Sequence, residues 1–256
     1  MRIAVVHLSD IHFQVHSNPI ISRAEKIVAA LRPVLQDVGG VVFAVTGDVA
    51  FSGMKEEYEV ASGFLISLRD ATTQTDPHMP MEFVFIPGNH DCNFRSEGDA
   101  RPALLEGVAA KIDALDPSGE IVCQVTNVQD EFFAFEAALR AQPEIPKSDR
   151  LRYATQIRLG EFSIVFDCYN TAWMSRKDEK QGTLLFPSKL LTPEKTSGDA
   201  TPHLRIALLH HRDNWLEANN ARLLRDHLDS CSDAILSGHE HVSSAYTKSR
   251  LDGARG

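Results

Sequence analysis

Five short segments hold most of the residues able to bind metal or move a proton. They are Ser9-Asp10-Ile11-His12, Gly47-Asp48, Gly88-Asn89-His90-Asp91, His210-His211 and Gly238-His239-Glu240-His241. Asp10 and His12 stand two positions apart, as do His239 and His241. In an extended segment that spacing turns both side chains to one side, so each pair can grip one ion. Hard oxygen donors combined with neutral imidazole nitrogens suit Mn²⁺, Fe²⁺ or Zn²⁺ better than Mg²⁺ alone. The four cysteines, Cys92, Cys123, Cys168 and Cys231, are far apart and lack the paired spacing of a structural zinc site.

Taken singly, each of these residues has an ordinary structural explanation. Asp10 can be a turn residue, Asp48 or Asp91 a cap, and Asn89 the shaper of a turn. His12 and His210 can satisfy buried hydrogen bonds, and His239 and His241 can lie on the surface. The recurrence of the same residue types after five candidate strands is what argues against coincidence, because strand ends of an open α/β sheet converge on one crevice.

The elements that must position these segments are legible as apolar runs. Residues 3–8 read as a strand buried on both faces, 22–36 as an amphipathic helix, and 41–45 as the next buried strand. Residues 56–69 read as helix and 83–86 as a third strand closed by Pro87-Gly88. Strand, helix, strand, helix, strand fits parallel crossover units. From 92 to 150 the pattern changes to a mainly helical insertion, with helices over 103–115 and 128–139, able to form part of a substrate wall. Residues 153–159 and 162–168 form a hairpin around Gly160-Glu161. A buried strand follows at 204–209, then a helix capped by Asn214 and running to 228, a short strand at 234–236, and a last strand starting at 244–247.

The complete set of motifs resembles the calcineurin-like metallophosphoesterase superfamily: DIH at 10–12, GD at 47–48, GNHD at 88–91, His210, and GHEH at 238–241, in that order over nearly the whole chain. The resemblance implies a four-layer αββα sandwich within the α/β class, with metals at one edge. It makes Asp10, His12 and His241 ligands of one ion and Asn89, His210 and His239 ligands of the other. Asp48 becomes the carboxylate between them. His90 is placed beside the scissile phosphate with Asp91 as its orienting partner. Two metal ions, manganese before iron or zinc, make hydroxide available near neutral pH and neutralise phosphate charge, so that no serine or cysteine nucleophile is required.

GNHD in place of GNHE inclines the resemblance toward the phosphodiesterase and nuclease branches, with a nucleotide-type small molecule or nucleic acid as substrate. A phosphomonoesterase, and a noncatalytic scaffold or regulatory module keeping the fold, are the alternatives. Arg95, Asn170, His211 and Arg212 are the candidate substrate contacts, and Trp215 can stack on a base or pack. Arg150, Arg152, Arg176, Lys177 and Lys180 form either a local basic patch or solvated loop positions. Cys92 reads as packing.

Composition sets outer bounds. With 256 residues, 43% hydrophobic, the chain suffices for one compact domain with a sizeable core. The net charge of −9 argues weakly against a surface wholly given to nucleic acid, without excluding a local positive groove. The dispersed cysteines favour a reducing compartment, and the N-terminus does not read as a signal peptide, so a cytoplasmic protein is expected. No apolar stretch approaches the roughly 20 residues needed to cross a bilayer. The closing LDGARG, without an evident final element, suggests the N-terminal part of a longer protein, with an additional domain or oligomeric partner.

Overall fold

A computed structural model describes residues 2–16, 18–74, 76–192 and 202–240. The first half alternates strand and helix: β1 (Ala4–Leu8), α1 (Ala24–Leu35), β2 (Val41–Thr46), α2 (Lys55–Thr73) and β3 (Met81–Ile86). The strands are parallel in the order β1-β2-β3, with Leu8 beside Val45 and Thr46 beside Ile86. Parallel neighbours need crossover helices, and their C-terminal ends therefore leave the sheet at one edge. Three helices follow: α3 (Arg101–Ala110), α4 (Glu120–Val125) and α5 (Asp130–Arg140).

A second sheet, in the order β4-β5-β6-β7, comprises β4 (Arg152–Leu159), β5 (Phe162–Tyr169), β6 (Leu204–Leu209) and β7 (Ala234–Ser237). The first two form the expected hairpin, with Leu159 opposite Phe162 and Gly160 at φ 61°. A glycine with positive φ at the first central position is what a two-residue type II′ turn requires. The strands β5, β6 and β7 are parallel, the last two joined through α6 (Ala218–Cys231).

Alternation along the central strands makes the layers. Val41, Phe43, Val45, Phe83 and Phe85 face α1, α2 and α5. Val42, Ala44, Val84 and Ile86 face the other way, against Ile157, Ile164, Phe166, Ile206 and Leu208 of the second sheet. The opposite face of that sheet, with Tyr169, Ala207 and Leu209, packs on α3, α4 and α6 around Trp173 and Phe186. The result is a helix–sheet–sheet–helix sandwich, as the resemblance implies. Each large apolar side chain buried in these clusters contributes about 1.5–3 kcal/mol of transfer free energy.

Several local expectations change. The strand β1 is half-buried, because β2 takes the centre of the sheet. In the 92–150 region, the first helix stops at Ala110, short of 115, and the separate short α4 was not foreseen. Phe132, Phe133 and Phe135 of α5 are buried in the core beside Tyr58. Asn214 does not cap α6; it lies in a 3-10 turn, and Glu217 caps the helix by accepting from the backbone N–H groups of Asn219 and Asn220. The strand expected from 244 lies outside the described residues.

Candidate metal centre

Parallel register brings the ends of β1, β2, β3, β6 and β7 to one edge, and the candidate ligands occupy the first residues beyond them. Four of these hold unusual backbone conformations: φ is 55° at Asp10, 54° at His12, 53° at Asp48 and 73° at His239. Among the described non-glycine residues only Ala141 shares that left-handed region. Such residues cost on the order of 1–3 kcal/mol each and concentrate at functional sites. Asp10 and His12 therefore do not converge through extended alternation. Each turns through a left-handed step, held when their N–H groups donate to Gly47 O and Asp48 O at 3.2 and 2.9 Å.

Two glycines make room. A Cβ on Gly88 would stand 2.1 Å from Asp48 Oδ1, and one on Gly238 would stand 2.0 Å from Ser9 Oγ and 3.0 Å from Asp10 Oδ2. The glycine of GNHD thus leaves room for Asp48 at the adjacent strand end, and that of GHEH for Ser9 and Asp10 at a strand end of the other sheet.

Asn89 Oδ1, His210 Nε2 and His239 Nδ1 form a triangle with sides of 3.0, 3.1 and 3.2 Å. His210 Nδ1 lies 2.7 Å from the carbonyl of Thr46, which can only accept, so Nδ1 carries a proton, and Nε2 offers a lone pair whenever the imidazole is neutral. Burial, then the nearby charges of His211 and His210, push His239 down to about 4, leaving it neutral at pH 7. Three electron-rich atoms at this spacing fit a shared cation. Adjacent donors on an ion with bonds of about 2.1 Å stand roughly 3.0 Å apart in octahedral and about 3.4 Å in tetrahedral geometry.

Asp48 joins this triangle to a second group. Its Oδ2 lies 3.3 Å from His210 Nε2 and 3.9 Å from His12 Nε2. Its Oδ1 accepts from the backbone N–H of His90 at 2.9 Å. Donor atoms of Asp10, Asp48 and His210 fall within 4.8 Å of one another, and so do those of His12, Asp48 and His90. Burial alone would raise the Asp48 carboxyl; the charge and hydrogen bond of His210 outweigh it and hold the group well below the usual carboxylate range. Burial would lower His210, and Asp48 reverses that, lifting it to about 9. A proton on His210 thus supplies positive charge that a metal would otherwise provide.

Asp10, His12, Asp48, Asn89, His90, His210 and His239 are brought together; His241 lies outside the described residues. Asp91 is adjacent in sequence but does not touch the His90 ring. Its buried carboxylate accepts from the N–H groups of Gly88, Ala50 and Val49 at 2.8, 3.0 and 3.4 Å, and from Tyr58 Oη at 3.0 Å. Burial, and then the charge of Asp48, raise it to about 6 against those bonds. It staples the loops after β2 and β3 together. The His90 ring is oriented instead by the carbonyl of Phe51, 2.6 Å from Nδ1. The exposed Phe51 ring stands 5.6 Å from that imidazole. A backbone carbonyl doing this job leaves no mark in a sequence.

The proposed substrate contacts separate. Asn170 is fully buried and committed to Gln129 and the carbonyl of Arg150. His211 is also buried, with Nε2 3.1 Å from Glu179 Oε2. These two therefore face the interior. Arg95 is exposed on the turn after GNHD, and Arg212 is half-buried near Glu240. Arg150 and Arg152 are interior, paired with Asp130 and Glu144 and with Asp167, so no patch with the exposed Arg176, Lys177 and Lys180 exists. Trp215 is half-buried, 4.1 Å centroid to centroid from His239, its Nε1 donating to Glu240 at 2.8 Å. Cys92 is buried packing, as expected.

A sequence profile of the calcineurin-like phosphoesterase family matches residues 3–243, a span containing every motif above. The chain belongs to that family. It is also 24% identical, over 95% of its length, to an uncharacterized metallophosphoesterase-like protein, YydB, of Bacillus subtilis (strain 168). It spans about half the length of that relative. Family membership and the clustered donors agree on a metal-dependent phosphoesterase scaffold. Among the described residues, no helix is long and apolar enough to cross a membrane.

Proposed function

We propose that the protein hydrolyses a phosphodiester, of a nucleotide-type small molecule or of nucleic acid, at a pair of divalent ions, with manganese the first choice. The observation that carries this reading is Asp48: one buried carboxylate whose Oδ2 stands 3.3 Å from His210 Nε2 in one proposed ligand set and 3.9 Å from His12 Nε2 in the other. Asp10, His12, Asp48 and His241 would hold one ion and Asp48, Asn89, His210 and His239 the other. Bound ions of this kind lower the pKa of water and draw charge from phosphate oxygens.

The chain's own residues supply the rest. Phe51 O holds the proton on His90 Nδ1 and leaves Nε2 as the nitrogen free to act, in a ring that neighbours His12 and Asp48. From there it can donate to a phosphate oxygen or a leaving oxygen when protonated. The preference for a diester over a monoester comes from the GNHD motif, and the surface beside it offers space for an ester arm. Beside His12 lies an open recess of ≈ 330 Å³ lined by Ile11, Gln14, Asn18, Pro19, Ile20 and Arg23, combining apolar walls, amides and a guanidinium. The four free thiols fit a reducing compartment, the cytoplasm.

A metal-supplemented panel tests this: a chromogenic diester, phosphomonoesters, cyclic nucleotides, and single- and double-stranded nucleic acid, each with Mn²⁺, Fe²⁺ or Zn²⁺. The expected result is diester hydrolysis lost in both D48N and H90A. Preference for monoesters would overturn the substrate class. Absence of specifically bound metal under every supplement would favour a scaffold over an enzyme.

A further inference from the structure

The loop 176–183 reads as solvent-facing, and all but one of its residues are exposed. The exception is Glu179. Its side chain turns inward, 8% exposed, to meet His211 Nε2 at 3.1 Å. His211 is in turn packed against two candidate ligands of the second ion. Its ring centroid lies 4.8 Å from that of His210 and 4.4 Å from that of His239. Its own donor atom belongs with theirs to a cluster within 4.8 Å. On another side of His239 stands Trp215, at 4.1 Å.

We propose that Glu179 and His211 are positioning residues for the second ion, holding His239, and through it the ligand triangle, in its binding geometry. The inference rests on the metal-site reading above. Its physical basis is the weakness of the element that carries His239. The strand β7 has four residues, its first half exposed, and His239 itself sits in a left-handed conformation. Backbone support comes from His239 N–H donating to Asp10 and Gly238 N–H donating to His210 O, at 3.1 Å in each case. Neither contact fixes the imidazole. The ring is fixed laterally by His211, and His211 is fixed by two hydrogen bonds: its backbone N–H donates to Thr171 Oγ1 at 2.9 Å and its ring N–H to Glu179. A group hydrogen-bonded directly to a ligating imidazole is worth about 10–100-fold in metal affinity, and Glu179, acting one side chain further out through His211, should reach the lower end of that range.

The test is a Mn²⁺ titration of the metal-free protein, followed by the fluorescence of Trp215 against the buried Trp173 and by bound metal per chain after gel filtration. E179L removes the acceptor and keeps the volume; the midpoint of the weaker site should rise about tenfold. E179Q offers a carbonyl oxygen to the same ring N–H and should return the midpoint to within about threefold of wild type. H211Q, which loses the ring between His210 and His239, should behave like E179L and serves if E179L fails to fold. An unshifted midpoint in a folded E179L or H211Q protein overturns the proposal. So does an E179Q midpoint as weak as that of E179L, since charge rather than the hydrogen bond would then be what counts. Wild-type protein that binds no Mn²⁺ would remove the metal-site reading and this role with it, whereas the variant outcomes bear on the pair alone.

Discussion

Two aspartates, each buried in the sandwich, are neutralised in different ways. Asp167, on the outward face of β5, has Arg205 hydrogen-bonded to one oxygen and Arg152 3.9 Å from the other. Its counter-charges are covalent parts of the fold. Asp48, at the end of β2, has only histidines, the nearest at 3.3 Å, and a backbone N–H. Its counter-charge depends on what those imidazoles carry or bind. Burial alone therefore does not mark a functional carboxylate. What marks Asp48 is that its neighbours become cationic only by taking up a proton or an ion, while the neighbours of Asp167 cannot lose their charge.

The largest expected effect comes from Asp48→Asn. Hydrolysis should fall about 10³-fold, on the scale of losing a main electrostatic stabiliser of the transition state. The metal-free protein should also unfold at a lower temperature, because the charge that holds His210 protonated is gone, so activity is compared in the protein that remains folded. Retained activity with normal metal content would reject the role given to Asp48. The mirror experiment is Asp167→Ala, which leaves two arginines without their partner. Urea unfolding should report a loss of about 3–5 kcal/mol, with metal stoichiometry unchanged in the protein that remains folded. A loss of bound metal there would erase the distinction.

Asp91→Ala should cost folding stability at least as much as Asp167→Ala. It strands the N–H groups of Gly88, Ala50 and Val49 and the hydroxyl of Tyr58, at about 1–3 kcal/mol for each group left buried and unpaired. Denaturant unfolding checks the stability loss. If the His90 ring is oriented by Phe51, the surviving activity at saturating metal should keep the wild-type pH profile. The smallest effect is a pH dependence of metal affinity. His210, raised to about 9 by Asp48, is protonated below that pH, and a ligand nitrogen must be neutral. Mn²⁺ binding should therefore weaken as pH falls below about 9 and should release protons, measurable by calorimetry in buffers of different ionisation enthalpy.

Much of this was readable from the residues. Apolar runs ending in Asp, Asn or His located five strand ends, whereas the four-layer sandwich came only with the family resemblance, because uninterrupted apolar runs at 41–45 and 83–86 do not say which side chain faces which layer. What was not readable has physical reasons. The left-handed turns at Asp10 and His12 are imposed by N–H groups bonding to Gly47 and Asp48 after β2, distant in sequence and brought near by the register of a parallel sheet. Asp91 looked like a partner of its neighbour His90, yet its acceptor atoms are claimed by backbone groups of another loop. Asn170 and His211 sat next to motifs and turned inward. Glu179 lay in a charged run, where a single inward side chain has no periodic signal.

The hydrogen bonds from His239 N–H to Asp10 tie together residues 229 positions apart. Closing so long a loop is slow compared with forming a helix or a hairpin, and the required order is fixed by topology. The two parallel sheet edges must be in place before the donors meet. Metal uptake should therefore mark one of the last events of refolding, and an ion supplied early has no assembled cage to nucleate around.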